Sequence, residues 1–310
     1  MPLNPALERL IQTKLAHTHA QQWELPIAQV RQAFRDLWTP AITGESPAIF
    51  RTEDVTFDGA DSKLRARIYW PEGVDRLPLL VYFHGGGFVK GGLDESDTFC
   101  RRLARTTRHI VVAVDYRLAP EYPFPAALDD AFAATSWSLE HANELNASAH
   151  SAVVCGESAG GNLAAGVCLL ARGNPKLTVR HQVLLQPAVD FTLSFPSIAM
   201  PAAQCLVPRD DLAWYYRTYC GKETAYDDVR VSPIFAADLG GLPPALIIAA
   251  EYDTLRDEAA AYGKRLQAAG VPTRYSCYPG MVHGFLGMGG LVTEAQAAID
   301  EIAVALSNDG

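Results

Sequence analysis

The sequence predicts an α/β protein with a largely parallel, twisted sheet, and three observations carry that expectation. First, short apolar runs recur at Leu79–Phe83, Ile110–Val114, Ala152–Cys155, Val183–Leu185 and Ala245–Ala250. Continuous apolar runs of this kind suit strands covered on both faces. Second, helix-length stretches lie between them, at Ala126–His141, Ala159–Ala171 and Arg256–Ala269. Strands alternating with helices imply right-handed βαβ units in an open sheet. Third, the 310 residues are 49% hydrophobic and 20% charged, an ordinary globular balance. A chain of that length can bury roughly three quarters of its unfolded surface. One core carrying an insertion fits the length as well as two domains do.

Taken in order, the chain opens with two amphipathic segments. Leu7, Leu10, Ile11 and Leu15 fall at helical spacing. Ile27, Val30, Phe34, Leu37 and Trp38 form a second stripe, with Pro26 near its start and Thr39-Pro40 ending it. Each has an apolar face that needs something to cover. From about residue 50 the period changes. Leu64, Ala66, Ile68 and Trp70 alternate with Arg65, Arg67 and Tyr69, which reads as a half-buried strand. The apolar runs and helical stretches follow. Gly270-Val271-Pro272 stops the helix at 256–269; Arg274–Tyr278 reads as a last strand and Thr293–Leu306 as a last helix. One stretch breaks the rhythm. Asp190–Pro233 holds an amphipathic patch (Leu212, Tyr215, Tyr216, Tyr219) without a clear strand, and is expected to be a helical insertion above the sheet.

Charge and cysteine content narrow the setting. There are 26 Lys+Arg against 35 Asp+Glu, a formal net charge of −9. Nucleic-acid affinity depends on cationic contacts to phosphate, so a nucleic-acid partner is not expected. Electrostatic docking on anionic lipid is disfavoured for the same reason. The six cysteines lie at 100, 155, 168, 205, 220 and 277 with no C-x-x-C pair, and are expected to be reduced. The first residues lack a basic stretch followed by an apolar one, and the longest near-apolar run, Leu239–Ala250, contains Gly and Pro and is too short to span a bilayer. A cytoplasmic, soluble protein is the expectation.

Two glycine-rich segments carry the chemistry. Gly156-Glu157-Ser158-Ala159-Gly160-Gly161 follows the run Ala152–Cys155 and opens an Ala/Leu-rich helix. G-x-S-x-G between strand and helix is a nucleophile elbow: the turn is sharp, so the neighbours must be small. It places Ser158 at a helix N-terminus, where developing negative charge is favoured. The pattern is common by chance, so its setting carries the weight; the plain alternative is a Gly-rich cap. His84-Gly85-Gly86-Gly87-Phe88 follows the run Leu79–Phe83. Successive glycines present backbone N–H groups with no Cβ in the way. Acyl transfer builds charge on a carbonyl oxygen, and the N–H groups of Gly86, Gly87 and Ala159 are the expected oxyanion hole. The alternative is a flexible turn.

A serine at neutral pH needs a base. Of the eight histidines, His17, His19, His109, His141 and His150 lie in helices, loops or strand starts with polar company, and His181 opens a strand. His84 belongs to the glycine loop, where it should brace the turn. That leaves His283, just past the last strand, where open α/β sheets place their ligands. Four acids compete to orient it: Glu251, Asp253, Asp257 and Glu258. Glu251 is near the strand end, while Asp257 and Glu258 fall in a first helical turn, where acids are common. Asp253, in the loop between, is preferred. The order Ser158, Asp253, His283 is the one this fold uses.

Together these segments resemble the hormone-sensitive-lipase-like branch of the α/β-hydrolases. The motifs are His84-Gly85-Gly86-Gly87, Asp115-Tyr116-Arg117-Leu118-Ala119-Pro120-Glu121, Gly156-Glu157-Ser158-Ala159-Gly160-Gly161-Asn162, Asp253-Thr254-Leu255-Arg256-Asp257-Glu258 and His283-Gly284-Phe285. The chain departs from the family pattern in carrying Glu157 where an Asp usually precedes the serine, and Thr254 where a Pro usually follows the aspartate. The resemblance implies a mostly parallel eight-stranded sheet flanked by helices. It also implies a helical cap built from residues 1–50 and 190–233, the catalytic domain being residues 51–310. It implies hydrolysis of short- to medium-chain carboxylic esters through an acyl-enzyme on Ser158, with no metal or organic cofactor, and a rate that rises with pH through about 6 to 7. The expected partner is a small-molecule ester; a homodimer stays open and no membrane partner is expected. Amidase or thioesterase action also stays open, because a triad does not fix the leaving group. Plant gibberellin receptors resemble the same family but have lost the catalytic histidine; His283 favours an enzyme. Within 116–121 the expectation is scaffold, with Arg117 and Glu121 as an ion pair. Trp214, Tyr215, Phe34 and Trp38 are expected mainly as packing, with those on the cap able to wall an acyl pocket.

Overall fold

A computed structural model describes residues 1–17, 20–71, 76–174 and 177–307, apart from the side chains of residues 16, 17 and 149. His19 and the His17 side chain therefore lie outside the described residues. The strands are β1 (Arg51–Asp58), β2 (Lys63–Trp70), β3 (Leu77–Phe83), β4 (Ile110–Asp115), β5 (Ala147–Glu157), β6 (Val179–Leu185), β7 (Ala245–Tyr252) and β8 (Thr273–Val282). They form one eight-stranded sheet in the order β1-β2-β4-β3-β5-β6-β7-β8. The β1–β2 and β2–β4 pairs are antiparallel and the rest parallel. The expected mostly parallel, eight-stranded sheet is therefore present.

The helices are α1 (Pro5–His17), α2 (Ile27–Leu37), α3 (Pro40–Thr43), α4 (Leu93–Thr107), α5 (Ala126–Glu140), α6 (Ala159–Ala171), α7 (Arg209–Cys220), α8 (Arg256–Ala268) and α9 (Glu294–Ser307). The apolar runs are strands buried on both faces, as their composition requires. Along β3, Leu79, Val81 and Phe83 enter one core while Leu80 and Tyr82 enter the other. In β7, Ala245, Ile247 and Ala249 alternate with Leu246, Ile248 and Ala250 in the same way. In β2, Leu64, Ala66 and Ile68 are buried as expected, but Tyr69 is buried too, with its hydroxyl donating to Asp97 of α4 at 3.0 Å.

Two elements escape the apolar pattern. β1 is exposed along most of its length, so it has no apolar run to betray it. In α4, charged residues interleave with a buried stripe of Leu93, Phe99, Cys100 and Leu103. The stretch 190–233 is one helix, α7, with short turns around it. Its patch Leu212, Tyr215, Tyr216 and Tyr219 is the buried face. Tyr219 stacks on Phe88 at 3.8 Å and Tyr216 on Phe191 at 3.8 Å. That packing sets α7 beside the glycine loop.

Arg117 and Glu121 do not pair with one another. Arg117 binds the fully buried Asp130 of α5 at 2.8 Å, and Glu121 binds Arg31 of α2 at 2.6 Å. Asp130 is desolvated and needs a bidentate partner, which a nearby guanidinium supplies. All six cysteines are free thiols, five of them buried. No helix among the described residues is long and apolar enough to cross a membrane.

Candidate active site

The ends of β3, β5, β7 and β8 meet at one edge of the sheet, and each delivers one part of the site. At the end of β5 the backbone turns through Ser158 with φ 57° and ψ −115°. A non-glycine residue held there is strained, and the surroundings must over-determine it. They do so with small residues: a Cβ at Gly156 would collide with the Gly160 carbonyl, and one at Gly160 with the Phe83 carbonyl. The Ser158 N–H donates to Leu185 O at 2.8 Å, and Ser158 O accepts from Asn162 N at 3.0 Å and Ala188 N at 3.2 Å.

At the end of β3, Gly86 and Gly87 adopt φ 127° and 62°. Gly86 O accepts from the N–H groups of Val89 and Lys90, which closes the turn. A Cβ on Gly86 would strike the Lys90 carbonyl, and one on Gly87 the Tyr215 ring. The N–H groups of Gly86, Gly87 and Ala159 donate to no described group, and all three residues line one cavity. His84 braces the loop as anticipated. Its Nδ1 donates to Gly85 O at 2.8 Å, its ring stacks on Tyr116 at 4.2 Å, and Tyr116 donates its hydroxyl proton to His84 O at 2.7 Å. Burial pushes the imidazole down to about 4, against the Gly85 bond, so it is neutral near pH 7.

The loops after β7 and β8 bring the acid to the base. His283 Nδ1 donates to Asp253 Oδ2 at 2.8 Å, and Asp253 is fully buried. The other carboxylates are engaged elsewhere. Glu251 accepts from Gly280 N, Asp257 from Ser197 N and Arg256, and Glu258 from the N–H groups of Val189 and Asp190. Burial favours neutral His283, but the charge and hydrogen bond of Asp253, helped by Glu157, outweigh it and raise its pKa. Burial also raises Glu157, with Asp253 adding to the effect and His283 opposing it. Ser158 and His283 line the same cavity. Ser158 Oγ makes no hydrogen bond to a described residue; such contacts commonly tighten only when substrate is bound.

Gln186 is a residue beside the site that the sequence patterns do not point to. It follows β6 with φ 48° and is fully buried. Its Oε1 accepts from Gly284 N at 2.7 Å and its Nε2 donates to Val282 O at 3.1 Å. One side chain thus grips the backbone on both sides of His283. The only hint in sequence is a polar amide directly after an apolar run. Gln186→Leu removes both of these hydrogen bonds and loosens the histidine loop. The expected result is a kcat/KM lower by about 10- to 100-fold, as small misplacements of catalytic groups cost. Ester turnover beside a thermal melt checks it.

The cavity measures about 1040 Å³. Its walls are largely apolar, with Leu10, Phe34, Trp38, Leu206, Leu212 and Tyr215 among them. Of the aromatics singled out in sequence, Tyr215, Phe34 and Trp38 reach it, and Trp214 does not line it. No cluster of three or more His, Cys, Asp or Glu suited to a metal ion occurs among the described residues.

A serine elbow joined to a glycine-loop donor set on this strand order defines a class of hydrolases. The chain belongs to the α/β-hydrolase family, in its hormone-sensitive-lipase-like branch; a family model described as alpha/beta hydrolase fold matches residues 80–287. Among curated relatives, the esterase LipI of Mycobacterium tuberculosis is 39% identical over 284 residues, 90% of this chain and 88% of that one. The carboxylesterase NlhH of the same organism is 40% identical over 305 residues, covering 96% of this chain and 92% of its own length. Among solved structures, a hyperthermophilic esterase from Pyrobaculum calidifontis superposes with a TM-score of 0.93 at 39% identity, over 99% of each chain.

Proposed function

We propose that the protein is a serine carboxylesterase that hydrolyses short- to medium-chain carboxylic esters through an acyl-enzyme on Ser158. The observation that carries it is the 2.8 Å bond from His283 to buried Asp253, beside a cavity that also holds Ser158 and backbone N–H groups that donate to no described residue. Ser158 Oγ attacks the ester carbonyl while His283 Nε2 takes its proton. Asp253 keeps the Nδ1–H tautomer and stabilises the imidazolium. The N–H groups of Gly86, Gly87 and Ala159 receive the oxyanion, each worth roughly 100- to 1000-fold in rate. His283 returns its proton to the leaving alcohol, then activates water to release the acid. In this proposal residues 1–50 and 190–233 form the cap, since Phe34, Trp38, Leu212 and Tyr215 wall the cavity over the elbow.

The cavity has room for a drug-sized ester, since pockets of roughly 300–1,000 Å³ hold such ligands; the preference for short to medium chains is part of the proposal. A panel of 4-nitrophenyl esters from acetate to palmitate tests this. The expected profile peaks at short to medium chains with a pre-steady-state burst of one nitrophenol per active site; a maximum at palmitate, or no hydrolysis, contradicts it. The pH profile supplies a second check. Only neutral His283 accepts a proton, and its raised pKa keeps it protonated to higher pH. Activity should therefore be lost on the acid side, with a kcat/KM midpoint above the ordinary imidazole value of about 6.5. A rate that fell as pH rose through that range would exclude His283 as base.

A further inference from the structure

Lys90 is a basic side chain on the cavity wall with no carboxylate of its own among the described residues. It follows the oxyanion loop, and its N–H donates to Gly86 O at 3.1 Å, so its backbone is part of that turn. Its side chain lines the same cavity as Ser158. Nζ donates to Gln22 Oε1 at 2.7 Å and sits 5.0 Å from the Phe34 ring centroid and 5.1 Å from that of Tyr215. Among the described residues it joins no ion pair. The nearby acid, Asp211, is committed elsewhere: Lys14 lies 3.5 Å from it and Gln22 Nε2 donates to it at 2.7 Å. Gln22 is held in turn, its Oε1 also accepting from the Tyr215 hydroxyl at 3.0 Å. The ammonium is therefore fixed in place with one strong acceptor for three donors.

Lys90 is half-buried, and a charge partly withdrawn from water is costly unless it is paired. Aromatic faces return part of that cost, and an anionic ligand would return far more. The cavity wall also carries Lys14, Glu95, Glu157, Asp210 and Asp211; Lys14 has an ion pair with Asp211, whereas Lys90 joins none among the described residues. We propose that Lys90 recognises a carboxylate carried by the ester substrate, so that half-esters of dicarboxylic acids, or esters of carboxylate-bearing alcohols, are favoured over neutral counterparts of the same shape. This rests on the esterase function proposed above and names the substrate class for it.

The test compares kcat/KM for 4-nitrophenyl hydrogen suberate with that for its methyl ester, and 4-carboxyphenyl hexanoate with its methyl ester. The first pair places the carboxylate on the acyl side and the second on the alcohol side. The anion-to-neutral ratio, compared between variants, cancels intrinsic reactivity and any shared loss of catalysis. In Lys90→Met the ratio should fall by about 10- to 100-fold in at least one pair, the effect of losing a charge-assisted hydrogen bond. Lys90→Arg should keep most of the preference, and Lys14→Gln should leave it in place because Lys14 already has Asp211. Burial pushes Lys90 down to about 7, with Lys14 adding to the effect and Asp211 opposing it. The wild-type preference should accordingly weaken as pH rises through that value. Ratios unchanged by Lys90→Met in both pairs would overturn the proposal, as would an equal fall in Lys14→Gln. A wild-type protein that hydrolysed neither neutral ester would overturn the esterase assignment itself.

Discussion

Ser158→Ala removes ester turnover, by about 10⁶-fold in kcat, the size of loss that removal of a triad nucleophile produces. The magnitude follows from the division of labour at the edge of the sheet. In the proposed mechanism no acyl-enzyme forms without Oγ, and only the proposed oxyanion donors and substrate positioning remain. Alanine is smaller than serine, so the elbow between Gly156 and Gly160 still fits, and the thermal melt should stay near wild type. Measured with 4-nitrophenyl butyrate, the variant should lose both burst and steady-state rate. A variant that kept wild-type turnover would show that the chemistry lies at another nucleophile.

Asp253→Asn should cost up to about 10⁴-fold in kcat, while Asp257→Asn costs only a few-fold. The carboxylate at 253 accepts the Nδ1 proton of His283 at 2.8 Å. An asparagine there can present its amide donor to Nδ1 instead, which moves the proton to Nε2 and blinds the base. The pH midpoint should also move down, because the charge that raises His283 is gone. Asp257 is engaged away from the histidine, accepting from Ser197 N at 2.9 Å and from Arg256 at 2.8 Å. An amide in its place still accepts from Ser197. If Asp257→Asn were the damaging change, the acid would have been misassigned.

Much of this architecture is legible in the sequence because burial on both faces writes itself as an unbroken apolar run. β3 and β7 show this: every residue of Leu79–Phe83 and Ala245–Ala250 is buried, so pattern and structure coincide. The elbow and the glycine loop are legible for a steric reason, since Gly86, Gly156 and Gly160 have no room for a Cβ. What stays hidden depends on partners far along the chain. β1 lies at an edge with most side chains in water and leaves no hydrophobic signature. Arg117 and Glu121 look like natural partners by proximity, yet each answers a charge on a different helix. Gln186 reads as an ordinary loop residue until both of its amide groups are seen gripping the backbone around His283. Lys90 reads as one more surface lysine until Gln22, Phe34 and Tyr215 are found around it.

The convergence of hydroxyl, imidazole and amide donors is tested most directly by covalent trapping. A 4-nitrophenyl alkylphosphonate mimics the tetrahedral intermediate and reacts only with a serine that has a working base beside an oxyanion hole. Incubation followed by intact-mass and peptide analysis should find one phosphonyl group per chain, carried by Ser158, with labelling abolished in Ser158→Ala and strongly slowed in His283→Ala. Labelling of another residue, or labelling of Ser158 at the same rate without His283, would contradict the mechanism.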